Sequence, residues 1–317
     1  MDRVELICGD CLDVMRSFSE PIADVTITSP PYEDARTYGI NFKLKGQTWV
    51  DWCVPRVIEM CRVTDGLVFF NAAGKRRDWK YSPVVEWLVT ELTKNCGIVC
   101  GPAPYVFHRI GIPGSGSGKY HRRDWEPVYV FARPECVPPK WTDNTAMGHK
   151  PKWGPGGEMS NRLSNGSRVN QWGPTSNTGA GRKRNGALKN GGHRPSHVYA
   201  DRLHTKTKAN GEMEVQGYSV PAIADPGNVI RCIVGGGHMG SKISHENEAC
   251  FPEELPEFFI RSYCPPNGRV FDPCMGSGTT AAVAVRTGRR FIGCDIRQSE
   301  IEKTRRRLKT VQVELFH

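Results

Sequence analysis

With 317 residues, 38% of them hydrophobic and 24% charged, the chain can bury about three quarters of its unfolded surface and holds two domains at most. A peptide hormone, a disulfide miniprotein and a lone zinc finger are excluded, and no apolar run approaches the ~18 residues of a membrane span. The net charge of +10 lies wholly between Lys140 and Asn210, where thirteen Lys and Arg face three Asp and Glu.

The start, MDRVELICGD, has no apolar stretch followed by small residues, so no secretory signal is read and a cytoplasmic protein is expected. Twelve scattered Cys then read as reduced thiols. The first predicted strand, Val4 to Cys8, runs into Gly9-Asp10. Cys8 and Cys11 form one CxxC with no second, and the His residues show no ligand spacing, so no metal is expected.

The second predicted strand, Val25 to Thr28, stops at Ser29-Pro30-Pro31-Tyr32. Two prolines fix the backbone and end the hydrogen-bond ladder. Ser29 Oγ and the Pro30 carbonyl can then both accept from one planar amino group, while Tyr32 stacks on the ring bearing it. A helix over Trp49 to Cys61, a strand over Leu67 to Asn71, a helix over Pro83 to Thr93 and strands over Tyr105 to Arg109 and Val128 to Ala132 follow. Between the last two, Gly111 to Tyr120 resembles a phosphate loop but fails, with Pro113 at the first glycine and Tyr120 at the magnesium-holding hydroxyl. With Arg109, Lys119, Arg122 and Arg123 around it, this loop could close over nucleic acid or be a plain flexible connection.

The basic insert holds only five Leu, Ile, Val or Phe residues, too few for a core, and should be loop-rich. Arg168, Arg182, Lys183, Arg184, Lys189 and Arg194 are candidates to neutralise phosphates, with interleaved Trp and Tyr to meet bases and sugars, so nucleic acid is the expected partner. A solvated extension is the plain alternative.

After the insert come a helix over Glu253 to Ser262, a strand over Val270 to Asp272, a helix over Thr279 to Thr287, a strand over Phe291 to Cys294 and a helix over Ser299 to Lys309. Strand, turn and helix meet at Asp272-Pro273-Cys274-Met275-Gly276-Ser277-Gly278-Thr279-Thr280, where glycines permit close backbone approach and helix-start amides can face an anion. Asp295 ends the next strand, placed to accept from ribose hydroxyls. Gly276, Gly278 and Ala281 also satisfy a dinucleotide fingerprint. The acidic Asp272 before the turn suits an ammonium better than a pyrophosphate, which points to S-adenosylmethionine. The alternation of strands and helices indicates an α/β fold, a doubly wound, mostly parallel sheet of seven strands with a loop-rich insert.

Thr28-Ser29-Pro30-Pro31-Tyr32, paired with the Asp272 to Thr280 turn, resembles the two signature motifs of S-adenosylmethionine-dependent DNA amino-methyltransferases. Catalytic motif first, basic segment next and cofactor turn last resembles their circularly permuted beta group. The resemblance implies a Rossmann-like methyltransferase domain split into a catalytic half (1–135) and a cofactor-binding half (229–317) around a target recognition region (136–228). It implies catalytic roles for Ser29, Pro30, Pro31 and Tyr32, and cofactor contacts from Asp10, Phe251, Asp272, Pro273, Cys274, Gly276, Ser277, Gly278, Thr279, Thr280 and Asp295. Cys274 departs from the usual Phe, and His108-Arg109 from the usual Trp and Lys.

Ser29 before the prolines resembles the cytosine-N4 branch, with adenine-N6 as the alternative. The implied reaction is site-specific transfer to double-stranded DNA, by base flipping and direct displacement, in a bacterial or phage-infected cell. A cognate restriction endonuclease is an implied partner, and oligomeric state is left open. A cytosine carbon-5 route through Pro273-Cys274 is rejected because the thiol sits inside the cofactor turn. A release-factor glutamine methyltransferase has the reverse motif order. A nicotinamide dehydrogenase, or a DNA-binding protein with a vestigial cofactor site, stays open to binding tests.

Overall fold

The computed structural model describes residues 3–34, 39–77, 79–101, 103–111, 121, 123–136, 144, 204–207, 213–216, 226–234 and 250–311. Lys119, Arg122, Arg168, Arg182, Lys183, Arg184, Lys189 and Arg194 lie outside them. The chain divides into two compact units, 1–144 with 227–317, and 145–226.

The first unit runs β1 (Val4–Cys8), α1 (Cys11–Arg16), β2 (Val25–Thr28), α2 (Gln47–Arg62), β3 (Val68–Asn71), β4 (Arg76–Arg77), β5 (Lys80–Tyr81), α3 (Val84–Asn95), β6 (Val99–Cys100), β7 (Tyr105–Ile110) and β8 (Trp125–Ala132). In the second unit a hairpin of β9 (His204–Thr207) and β10 (Met213–Gln216) pairs antiparallel, regular structure that the loop-rich reading of the insert did not foresee. The first unit resumes with β11 (Val229–Ile233), α4 (Glu254–Tyr263), β12 (Arg269–Asp272), α5 (Thr279–Arg286), β13 (Arg290–Asp295) and α6 (Gln298–Leu308).

The main sheet has the order β1-β13-β12-β2-β3-β8-β7-β11, with β6 paired to β8. It therefore has nine strands among the described residues rather than seven. All seven expected strands are present, and the two additions are the two-residue β6 and the edge strand β11. From β1 to β3 every pairing is parallel; β8 runs antiparallel to β3 and β7, and β11 lies parallel to β7.

Alternation along β3 explains the layers, because successive strand side chains leave opposite faces. Val68 and Phe70 join a core with Met15 of α1, Trp49 and Val57 of α2 and Leu88 of α3. Phe69, on the other face, stacks on Phe259 of α4 at 4.1 Å between ring centroids. Fully burying a side chain such as Phe69 or Phe70 contributes about 1.5–3 kcal/mol. Behind that face, Glu253 bonds both Arg286 of α5 and Arg307 of α6, tying the last three helices together.

The topology sets the site. The first strand of the chain sits beside the last, and β12 lies beside β2. The glycine turn after β12 and the Ser29 segment after β2 thus leave the sheet from neighbouring carboxyl ends, where open α/β sheets hold their ligands.

Candidate active site

The Ser29 segment follows a strand whose four residues are all buried, and it is clamped from three sides. Trp49 Nε1, from the first turn of α2, donates to the Pro31 carbonyl at 2.8 Å. Glu33, only 4% exposed, accepts from the Gly46 amide through Oε2 and from the Lys75 amide through Oε1, both at 3.1 Å. The Asp34 amide donates to the Leu44 carbonyl at 3.0 Å. The run from Pro31 to Asp34 is thereby fixed, and the Pro31 carbonyl is committed while that of Pro30 takes part in none of these bonds.

Tyr32 reaches across the sheet. Its hydroxyl donates to Glu126 Oε2 of β8 at 2.8 Å, and Glu126 Oε1 pairs with Arg109 of β7 at 2.7 Å. Arg109 also donates to the Arg123 carbonyl at 3.3 Å. Ser29 Oγ lies 3.5 Å from the Tyr32 hydroxyl, too long for a strong O–H···O bond. Tyr32, Glu126, Arg109 and Arg123 border a cavity of about 280 Å³ together with Lys75 and Arg76.

A second cavity, of about 210 Å³, has Ser29 and Pro31 on one wall and Pro273, Cys274, Gly276 and Asp295 on another. Gly9, Asp10 and Cys11 of the β1 to α1 turn complete its polar floor, and Ile40, Phe42, Trp52 and Ile296 add apolar surface. The two motifs read from the sequence therefore open onto one space.

Asp295 organises the turn. Its Oδ2 accepts from the Gly276 amide at 3.1 Å and its Oδ1 from the Arg297 amide at 2.9 Å. Burial raises its pKa, opposed by Arg297. Gly276 and Gly278 both have positive φ, 50° and 76°, the region that favours glycine. Asp272 lies behind this wall at 1% exposure. Its carboxylate accepts from Thr280 Oγ1 at 2.7 Å and from the Cys274 amide at 3.1 Å, and burial lifts its pKa to about 6. Its place in the structure is as the bracket of the turn, one layer back from the cavity.

Ser277, Gly278, Thr279 and Thr280 are likewise buried beneath the turn, with Thr279 Oγ1 accepting from Arg307 at 3.0 Å. Phe251 is half-buried ahead of α4 and is not among the cavity-lining residues. Asp10 caps α1 through the Leu12 amide at 2.8 Å and takes two bonds from Arg56, whose guanidinium lies 4.0 Å above the Trp52 ring. Cys274, in place of a large aromatic ring, sits against Cys11; that contact lowers the Cys11 pKa and raises that of Cys274.

Sequence reasoning missed Glu126, Glu33, Arg56 and the apolar wall. Ile296 directly follows Asp295 and was legible as its neighbour, but Glu126 and Arg56 reach the site only through pairing and packing. None of the twelve cysteines is in a disulfide. Among the described residues no helix is long and apolar enough to cross a membrane.

A family model described as DNA methylase matches residues 23–306. The chain is 24% identical to the type II methyltransferase M.ScaI of Streptomyces caespitosus over 99% of its own length and 84% of that protein. It is 42% identical to the orphan methyltransferase M.BamHII of Bacillus amyloliquefaciens over a shorter stretch, 23% of this chain and 29% of that one. Its fold is similar to that of PvuII DNA methyltransferase (cytosine-N4-specific), with a TM-score of 0.60 at 17% identity over 97% of this chain and 86% of that one. It is also similar to TTHA0409 of Thermus thermophilus, a putative DNA modification methylase, with a TM-score of 0.54 at 15% identity over 98% and 96%. A doubly wound sheet, two motifs opening onto one cavity and a match over most of the sequence lead to one assignment: the chain belongs to the N6/N4 DNA methylase family.

Proposed function

We propose that this protein transfers a methyl group from S-adenosylmethionine to the N4 amino group of cytosine in double-stranded DNA. The observation that carries the reading is the shared cavity, with Ser29 on one wall and Gly276 and Asp295 on the other. The residues fit the cofactor. Asp295 uses one acceptor site of each oxygen on a backbone amide and keeps others for ribose hydroxyls. Ile40, Phe42, Trp52 and Ile296 offer an apolar berth for adenine, and Gly276 lets the backbone approach closely. We assign the cofactor contacts to Asp10, Pro273, Cys274, Gly276 and Asp295, with Asp272, Ser277, Gly278, Thr279 and Thr280 supporting the turn.

The bound cofactor supplies a sulfonium methyl, and the protein's part is to aim the amine at it. An exocyclic amine is a poor nucleophile because its lone pair is delocalised into the ring. Ser29 Oγ and the Pro30 carbonyl accept its two hydrogens, so the nitrogen pyramidalises and turns its lone pair toward the methyl, catalysis by positioning. Trp49 Nε1 occupies a lone pair of the Pro31 carbonyl, which supports the Pro30 carbonyl as the second acceptor; Pro30 itself is buried, and Ser29 and Pro31 are the residues of this segment that line the cavity. Base and methyl meet only if the nucleotide leaves the stack, at a cost of a few kcal/mol, which Tyr32 stacking offsets by about 1–3 kcal/mol. Arg109 and Arg123, with the basic residues of the insert, meet the phosphates. The type II names of relatives such as M.ScaI support pairing with a restriction endonuclease.

A neutral Ser29 hydroxyl, rather than a carboxylate, supports cytosine. The test is to methylate duplex DNA, digest it to nucleosides and identify the product by mass; N4-methyldeoxycytidine supports the assignment and N6-methyldeoxyadenosine replaces it. Ser29→Ala should lower turnover about a hundredfold or more while cofactor affinity by calorimetry stays near that of the wild type. An active Ser29→Ala enzyme removes Ser29 from the reaction.

A further inference from the structure

The Tyr32 hydroxyl has one hydrogen to give, and its oxygen lies between Glu126 and Ser29. It gives that hydrogen to Glu126 Oε2 at 2.8 Å, and Ser29 Oγ directs its own hydrogen at the phenol oxygen in a long contact of 3.5 Å. The direction matters because a hydroxyl carries one hydrogen and two lone pairs, and Ser29 Oγ keeps both pairs for the substrate amine only while its hydrogen lies toward Tyr32. Glu126 is 9% exposed and held from its far side by Arg109, 2.7 Å from Oε1. The two carboxylate oxygens are therefore divided, one to the guanidinium and one to the phenol. Three strands of the sheet hold the chain of groups in place: Tyr32 follows β2, Glu126 is on β8 and Arg109 on β7, with β3 bridging the first two.

We propose that Glu126, backed by Arg109, is a positioning residue: it draws the Tyr32 hydroxyl hydrogen away from Ser29 Oγ, keeping that oxygen an acceptor for the amine, and fixes the Tyr32 ring for stacking. This rests on the methyl-transfer reading above. No bond is made or broken at Glu126; its effect passes through Tyr32.

Glu126→Gln is the sharpest perturbation because it keeps shape and volume. The amide oxygen stays with Arg109, so the amide NH2 faces the phenol oxygen, which then accepts instead of donating. Its hydrogen is then released from the Glu126 side and turns toward Ser29 Oγ, where it competes with the amine for a lone pair. Tyr32→Phe removes the hydrogen altogether. Single-turnover transfer from radiolabelled S-adenosylmethionine to duplex DNA, measured for wild type, Glu126→Gln, Tyr32→Phe and the double variant, forms a double-mutant cycle. Glu126→Gln should slow transfer about tenfold, Tyr32→Phe only a few-fold, and the double variant should recover to the Tyr32→Phe rate. Cofactor affinity should stay at the wild-type value in all three variants. The melting temperature should fall by the same amount in Glu126→Gln and the double variant, both of which leave Arg109 without its carboxylate, so the recovered rate of the double variant is not a stability effect.

Losses that multiply in the double variant, or a fully active Glu126→Gln, overturn the positioning role and leave the methyltransferase reading standing. A wild-type protein that transfers no methyl to any duplex overturns both.

Discussion

Replacing Asp272 by Asn separates the electrostatics of the cofactor turn from its shape. The carboxyl is 1% exposed. Burial raises its pKa from 3.8 to about 6, against the pull of the Thr280 hydroxyl and the Cys274 amide. An acid whose pKa is raised by folding binds its proton more tightly in the native state, so its contribution to stability is present below pH 3.8 and lost as pH rises toward 6. At about 1.4 kcal/mol for each pKa unit, the whole loss is about 3 kcal/mol, complete by about pH 7. Asn removes the titration. It also turns an NH2 toward one of two donors, at about 1–3 kcal/mol, but that cost does not vary with pH. Urea unfolding of both proteins between pH 4 and 8 is the assay. The wild-type minus variant difference should fall by about 2 kcal/mol between pH 4 and 6 and level by about pH 7. Parallel curves would refute the reasoning, because Asp272 would then be as well solvated in the native protein as in the unfolded chain.

Gly278→Ala should destabilise the same turn. A Cβ there would come within 2.6 Å of Thr304 on α6, and the 76° φ alone costs a non-glycine residue about 1–2 kcal/mol. Thermal melts of Gly278→Ala with and without Thr304→Ala should show partial recovery in the pair, since the second change removes the two atoms at 2.6 Å but leaves the Thr304 Cβ at 3.0 Å and the backbone cost, and loses the bond from Thr304 Oγ1 to the Gly276 carbonyl. Changing Arg182, Lys183 and Arg184 together to Ala should flatten the salt dependence of DNA binding, by about 0.9 log unit for each phosphate no longer neutralised. An unchanged slope in titrations from 50 to 200 mM salt, about the range over which such ion pairing is read, would remove that cluster from the interface.

What the sequence made legible follows from the length over which each signal is written. The seven expected strands carry β-branched or aromatic runs of their own, and the glycine turn needs only adjacent residues to announce itself. By contrast, α1 is six residues long, shorter than a helical period can declare. β11 buries just Ile230 and Cys232, and its partner β7 lies across the insert. Helix ends moved by one or two residues, as with α2, which begins at Gln47 rather than Trp49. Asp10 was read as a cofactor residue from local likeness alone. Its helix cap is a local bond to the Leu12 amide, but its pairing with Arg56 depends on α2 packing over α1, and no local pattern states that. Asp272 shows the converse: its position in the motif was plain, while its burial behind the cavity wall came from the sheet.

The same distinction locates the chemistry. A motif states which groups can react, but the state in which each group waits is decided by neighbours from other strands. Ser29 and Tyr32 are three residues apart, and their spacing alone would allow the phenol to donate to the serine. It does not, because Glu126 is placed two strands away by the antiparallel pairing of β8 with β3, and Arg109 by the pairing of β7 with β8. Reversing β8 relative to β3 lets a residue near its start reach the carboxyl end of the parallel strands. In a wholly parallel sheet that residue would lie at the opposite end, out of reach of Tyr32. The antiparallel strand thus has a chemical consequence: it brings the carboxylate to the edge where the amine must be received.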